Sequence, residues 1–401
     1  MSFHVTEEGG EAFIVVSVKT PNDAREAASL SYTQIGEVLT ERRMVICHER
    51  IFGSLCVEDA VTEARSKALH EQHVPSNGSI TYIEGNPPWG KGFAGTIIHA
   101  VRLKDMNDFW TIIDGNRPCG RGWRQNGIMH LILQSIQPPN EKRYQKISRS
   151  LQAHYMIERA ERILRENGAS YRDVVRTWFY LSNILDWYAV FNKARNEKYG
   201  EFGIMPGPGD RELLLPASTG IQAETPSGAA CTMDLLAVLG GDGAEPSVRR
   251  LSNPSQLDAF RYGSAFARCS VVRNESICLI EVSGTAAIDK HGVSLYRGDI
   301  RAQIDCTLDK MQELLKQEAM ELEDICSATV FVKQPEYAEI FYEVADARGL
   351  KDLPCVCILA DVCRAELLFE MDAEVIVPKE VILKENGNEN LWIRQFLSFP
   401  A

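Results

Sequence analysis

Apolar residues recur along this chain in two rhythms, and the order of those rhythms itself repeats. The pattern is clearest toward the C-terminal end. Across residues 301–317, Ile304, Leu308, Met311, Leu314 and Leu315 fall three and four apart, which is one face of a helix. Ahead of it, 276–288 reads as a strand pair in which Ile280, Val282 and Thr285 flank Ser283-Gly284, followed by a turn at Asp289-Lys290-His291-Gly292. Behind it come a short β-branched strand, Ala328-Thr329-Val330-Phe331-Val332, and a second helix over 337–347 with Ile340, Phe341 and Val344 inward. Strands at 354–359 and 367–377 close the segment. The predicted order is β-β-α-β-α-β-β.

The middle of the chain repeats that order. A strand at 129–133 precedes a helix over 151–167 that carries Met156, Ile157, Ala160, Ile163 and Leu164. A strand at 174–181, a helix at 188–199 and strands at 216–223 and 231–239 follow. Asp173 and Asp324 are 151 residues apart and Pro216 and Pro354 are 138 apart, the difference lying in a Gly- and Pro-rich loop at 203–211. A fainter first copy has strands at 13–16 and 50–52, the latter preceded by Met44-Val45-Ile46-Cys47, helices at 23–39 and 57–69, and a closing strand at 93–101.

Three copies in one chain have a physical consequence. Each unit is a sheet with two helices on one face, and its other apolar face cannot be left in water. The predicted fold class is therefore α/β: three fused β-β-α-β-α-β-β units, 1–104, 105–240 and 241–401, arranged as a pseudo-trimer with sheets inward and helices outside. Three separate beads would need linkers, and no long Gly/Ser or Pro stretch divides the copies.

Composition narrows the function classes. With 401 residues and 45% apolar content the chain can fill a large interior, and no apolar run reaches the roughly 20 residues that span a bilayer. The first residues carry no basic-then-apolar leader, so a cytoplasmic protein without membrane association is expected. The 11 cysteines are scattered through apolar runs, as buried small hydrophobes are, and not spaced as a disulfide framework. A net charge of -12 without a basic tail argues against nucleic acid. A small anionic metabolite would need a local arginine cluster working against that overall field.

Several stretches resemble known families. Glu166-Asn167-Gly168-Ala169-Ser170-Tyr171-Arg172-Asp173-Val174-Val175-Arg176-Thr177 is similar to the helix-to-strand passage of the reactive-intermediate (enamine/imine) deaminases. Those are trimers of single units with ligand clefts between subunits, so the resemblance implies a fused chorismate mutase-like trimeric plan. A closer resemblance, over about residues 170–380, is to the chorismatase family, which cleaves the enolpyruvyl ether of chorismate. It rests on 176–181, on Pro216-Ala217-Ser218-Thr219-Gly220-Ile221, on 262–268, on Ser283-Gly284-Thr285-Ala286-Ala287-Ile288-Asp289, and on 360–370. The first 100 residues match less well. The deaminase family's carboxylate-binding arginine, just after Pro-Ala of the penultimate strand, is Ser218 in the second copy and Val356 in the third. Without that bidentate clamp, imine deamination loses its anchor.

Glu370 is the leading catalytic candidate. Strand alternation places it on one face with Asp372 and Glu374, opposite Phe369, Met371 and Val375. Carboxylates in an apolar strand either line a cleft or face solvent. Beside apolar walls, a glutamate holds its proton to higher pH and can deliver it to carbon or to a leaving oxygen. The chorismatase resemblance implies that role for Glu370. A dicarboxylate substrate calls for paired cations, and Arg268, Arg364 and Arg176 lie in the matched stretches. Tyr262 and Thr219 are candidate hydrogen-bonding groups.

Other chemistry is not indicated. The eight histidines include no HExxH, and His70 and His73 suit the end of a helix, so no metal site is expected. Neither a GxGxxG nor a GxxxxGK[ST] run occurs, so no nucleotide cofactor is expected. Trp89, Trp110, Trp123 and Trp178, with the loop 116–124 and its run Arg117 to Arg124, either wall a cleft between the first two copies or simply pack. The reading that emerges is a cofactor-independent, chorismatase-like hydrolase, a monomer or weak oligomer with one functional cleft. The competing readings are an imine deaminase and a silent metabolite-binding protein.

Overall fold

The computed structural model describes residues 1–21, 23–139, 146–207, 213–241 and 244–378. The first unit comprises β1 (Ser2–Glu8), β2 (Glu11–Ser17), α1 (Ala24–Arg42), β3 (Val45–Gly53), α2 (Glu58–Glu71), β4 (Thr81–Glu84) and β5 (Phe93–Val101). The second has β6 (Phe109–Asp114), β7 (Arg117–Gln125), β8 (Ile128–Ile136), α3 (Arg149–Glu166), β9 (Val174–Leu181), α4 (Ile184–Glu201), β10 (Ala217–Gln222) and β11 (Cys231–Gly240). The third has β12 (Ser247–Leu251), β13 (Cys269–Arg273), β14 (Ile277–Thr285), α5 (Ile300–Leu315), β15 (Ile325–Val332), α6 (Glu336–Ala347), β16 (Cys355–Leu359) and β17 (Phe369–Pro378). Local sequence starts the helices where capping groups stand: the side chains of Asp23, Ser148 and Asp299 accept backbone N–H groups at the first turns of α1, α3 and α5.

The sheets run β1-β2-β5-β3-β4, β10-β9-β11-β8-β7-β6 and β12-β13-β14-β17-β15-β16. In each, the last strand of the unit lies inside the sheet and the penultimate strand pairs parallel at one edge. Units two and three carry one strand more at the opposite edge than the first unit. Three separate cores join each sheet to its own helices. A fourth gathers the inward faces of all three sheets, with Phe13, Val15 and Ile97 from the first unit, Ile132, Trp178 and Leu236 from the second, and Leu279 and Ile376 from the third. The α/β pseudo-trimer, sheets inward and helices outside, is thus the architecture.

The structure departs from the sequence pattern at particular places. The stretch 276–288 is not a strand pair: β14 is one strand, its partner β13 lies before it, and Asn274 makes the turn by accepting the N–H of Ser276 and Ile277. The apparent break at Ser283-Gly284 is a register shift between Val282 and Thr285. Likewise the stretch from Val45 to Gly53 is a single strand, β3. His48, Glu49 and Arg50 look like an interruption, but each is buried against a partner: Asp234 at 2.9 Å, Arg65 at 2.6 Å and Glu374 at 2.7 Å. The segment 116–124 is mostly strand β7, not an elaborate loop. Its glycines are there for close packing, since a Cβ on Gly120 would lie 2.1 Å from the Ile132 carbonyl oxygen and one on Gly122 2.1 Å from the Trp110 ring. The tryptophans form no single cluster. Trp123 and Trp178 belong to the shared inner core, while Trp110 and Trp89 pack within the second and first units.

Candidate active site

A cleft of about 690 Å³ opens between the second and third units, walled by α4 on one side and by the start of β13, β14 and the approach to β17 on the other. Glu370 lies at its floor because it is the second residue of β17, where the strand emerges from the axis, paired across the sheet with Phe331. The register shift in β14 puts Gly284 beside it, and a Cβ there would lie 2.2 Å from Glu370 Oε1. The Glu370 carboxyl has no hydrogen bond or ion pair among the described residues. Burial is the main cause that pushes its pKa up to about 8, with the Asp372 carboxylate adding to the rise and Arg268 and Arg176 opposing it. At neutral pH it is predominantly the acid.

Arginines face this acid. Arg268, immediately before β13, is 2% exposed; its Nη2 donates to the Leu257 carbonyl and, at 3.0 Å, to the Tyr262 hydroxyl. Arg364, on the loop leading to β17, donates to the Gly292 carbonyl at 2.8 Å and to Ser294 Oγ at 3.2 Å. The Tyr262 ring lies between the two guanidinium groups, 5.7 Å from one and 5.4 Å from the other. Of the residues singled out in the sequence, Glu370, Arg268, Arg364 and Tyr262 therefore line one cavity.

Arg176 and Thr219 do not line it. Arg176 is fully buried behind the floor, with Nη2 3.0 Å from Asp372 Oδ2 and Nε 3.3 Å from Glu281 Oε2. Its charge is already committed to the Asp372 carboxylate, and Glu281, whose pKa burial pushes up to about 8, lies against its other side. Thr219 bridges Arg176, Asp372 and the Gly284 N–H. The acidic face of β17 is not solvated either: Asp372 and Glu374 are both buried, and Glu374 accepts from Arg50 and Ser327. The alternation that grouped these carboxylates is correct, but the face points at the molecular axis, and only its first member reaches the cleft.

Sequence reading missed the α4 wall. Tyr188, Asn192 and Arg195 stand four and three residues apart and share the face that lines the cavity. Arg195 is 1% exposed, donates to Asn192 Oδ1 at 2.6 Å and lies over the Phe179, Phe191 and Phe266 rings. Among the described residues Arg195, Arg268 and Arg364 have no carboxylate within ion-pair distance. Three cations without counter-ions around one protonated acid make a local positive field inside a chain of net charge -12. An arginine on the buried face of a helix was the available signal. Among the described residues no group of three His, Cys, Asp or Glu is placed to hold a metal ion.

A crystal structure of a chorismatase superposes on 82% of this chain and 93% of its own, with a TM-score of 0.60 at 20% sequence identity. The chain has the chorismatase fold. Single-unit proteins match as well: a YjgF/YER057c/UK114 family member from Mycobacterium tuberculosis is covered in full by 33% of this chain (23% identity, TM-score 0.25), and a YjgF family protein from Neisseria meningitidis is 94% covered by 32% of it (15% identity, TM-score 0.25). No protein-family model and no curated protein sequence matches the chain. Among the described residues, the cleft between the second and third units combines an acid with three arginines that have no carboxylate within ion-pair distance. The corresponding seam between the first and second units holds a smaller cavity of about 340 Å³, lined by Cys119, Gln134, Arg159 and others.

Proposed function

We propose that the chain hydrolyses the enolpyruvyl ether of a chorismate-like dicarboxylate and releases pyruvate. The observation that supports this most is the cleft floor: a carboxyl group that keeps its proton at neutral pH, held away from hydrogen-bonding partners and facing three arginines that have no carboxylate of their own. Enol ethers hydrolyse by rate-limiting protonation at the methylene carbon, which needs an acid that is still protonated at working pH and a site that holds the substrate over it. In this reading Glu370 delivers its proton to that carbon. The ether carbon becomes an oxocarbenium ion, water adds to it and returns a proton to Glu370, and the hemiketal collapses to an alcohol and pyruvate. Atoms balance with one water consumed. Arg268, Arg364 and Arg195 bind the two carboxylates, and Tyr262 fixes the planes of the first two guanidinium groups.

Imine deamination has less support. Ser218, standing where that chemistry needs an arginine, accepts from Thr177 and donates its N–H to Ser283, so it is part of the seam. One cleft per chain lets a single chain act alone. No helix among the described residues is long and apolar enough to cross a membrane, and the cysteines are free thiols; both accord with the cytoplasmic location proposed here. Incubation with chorismate, followed by enzymatic measurement of pyruvate, tests the reaction. Wild type is expected to release pyruvate and Glu370→Gln to lose at least about 1,000-fold. No release by wild type, or undiminished release by the variant, overturns the assignment.

A further inference from the structure

Behind Glu370 lies a second buried carboxylate that the proposed reaction does not use. Asp372 is two residues along β17, on the same face, and is completely buried. Every partner it has is a donor: Thr219 Oγ1 at 2.7 Å and Arg176 Nη2 at 3.0 Å to Oδ2, and the Thr329 N–H at 3.2 Å to Oδ1. The direction of the threonine bond is forced. Thr219 Oγ1 accepts from Arg176 at 2.8 Å and from the Gly284 N–H at 3.2 Å, so its single hydrogen is left for Asp372. Asp372 thus accepts three hydrogen bonds, while among the described residues Glu370 receives no donor. Two carboxyls on one strand face have been given opposite environments, the arrangement that separates an acid from a carboxylate.

We infer that Asp372, fixed by Arg176 and Thr219, is a positioning residue that keeps Glu370 in its acid form and turned into the cleft. The inference rests on the enol-ether reading for its catalytic meaning, though not for its test. The groups that face Glu370 divide by element. Asp372 on its own strand disfavours its ionisation. Arg176 on β9 would favour ionisation, but its charge is paired with Asp372; Glu281 of β14, 3.3 Å from its Nε, is itself pushed up to about 8 by burial. From the cleft side Arg268, ahead of β13, also favours ionisation, while Arg364 lies on the loop before β17 and Arg195 on α4. Tyr188 of α4 and Cys363 are both neutral, the thiol being pushed up to about 12 by burial first and by Glu370 second. Removing the Asp372 charge leaves an excess of cations, and Glu370 loses its proton at lower pH.

The full-length protein with Asp372→Asn gives the decisive comparison. Infrared spectroscopy reads the protonated carboxyl of Glu370, assigned by its disappearance in Glu370→Gln, and follows it against pH without any substrate. In wild type the band is expected to titrate near pH 8. In Asp372→Asn the midpoint should fall by at least about one pH unit, and the alkaline limb of the pyruvate-release profile should fall with it. Thr219→Val should give a smaller shift in the same direction and Thr219→Ser none, which keeps the inference testable if Asp372→Asn does not fold. A variant that loses thermal stability while its Glu370 band titrates as in wild type would show Asp372 to be structural only and overturn the inference. A protein that releases no pyruvate, yet shows the infrared shift, would overturn the proposed reaction and leave the role of Asp372 standing.

Discussion

The seams between units one and two and between units two and three are built on the same scaffold but do not share the same chemistry. In each, a threonine on the edge strand of one unit donates to an aspartate on the last strand of the next, Thr81 to Asp234 and Thr219 to Asp372, both at 2.7 Å. The aspartate has a basic partner as well, His48 in one seam and Arg176 in the other. Two residues before the aspartate stands Glu370 in the third unit, whereas the second unit has Thr232, whose hydroxyl donates to the Ile136 carbonyl at 3.2 Å. Where the third unit has Arg268, one residue before the pairing partner of Val282, the second has Cys119, one before the partner of Leu133. At the third seam strand pairing puts Val356 where Thr219 stands, so that Cys355 and not Val356 is the counterpart of Ser218, and Ile97 takes the aspartate position; Val356 and Ile97 both lie in the apolar inner core. The threonine–aspartate contact is thus a way of joining units, and between units two and three an acid and an arginine stand in front of it.

The sharpest way to break this comparison is to crowd the acid. Gly284→Ala puts a methyl group where Glu370 Oε1 lies, and 3.3 Å from Thr219 Cγ2. The carboxyl end of a glutamate can swing aside while the strand cannot, so the fold should survive and the acid should be misplaced. Pyruvate release is expected to fall by more than about 100-fold with an unchanged circular dichroism spectrum. Retained activity would mean that Glu370 does not act from the position described.

An effect is also expected on stability, and it has a definite sign. The folded-state pKa of Glu370 is raised to about 8, so between the unfolded value near 4.5 and that pH the unfolded chain sheds a proton that the folded chain keeps. Stability is therefore lost as pH rises from about 4.5 toward 8. Glu370→Gln removes this linkage. Urea unfolding should find the variant no more stable than wild type at pH 5 and more stable at pH 8. Equal stabilities at both values would show that the acid is not held protonated.

How much of this was legible beforehand depended on which physical signal carried it. Three units followed from periodicity alone, because each sheet and helix pair buries a stripe that period 2 or 3.6 reveals. The strands β3, β7 and β14 are hard to read for one reason: polar residues or glycines inside a strand look like breaks when their partners stand on other strands or helices. His48, Arg50 and Gly284 make sense only beside Asp234, Glu374 and Glu370. The same blindness affected the site. Arg268, Arg364 and Tyr262 were found through local motifs, and Arg176 was grouped with them because sequence does not show that Asp372 and Glu281 already occupy it. Arg195 was passed over because its meaning comes from a cleft wall formed by another unit.

Arg195 offers the finest test of the contrast between the seams. It is a nearly inaccessible cation with no carboxylate partner among the described residues, so its desolvation is uncompensated until an anion enters the cleft. Arg195→Met keeps most of the volume and the contact with Phe179, Phe191 and Phe266 while removing the charge. KM for the dicarboxylate should rise roughly tenfold with a smaller change in kcat, and thermal stability should hold or improve. The matched substitution at the other seam is Cys119→Ser, which replaces the residue standing where Arg268 stands. It should alter pyruvate release by less than about twofold. If the two substitutions reduced activity equally, the seams would be functionally linked, and the assignment of catalysis to one of them would have to be given up.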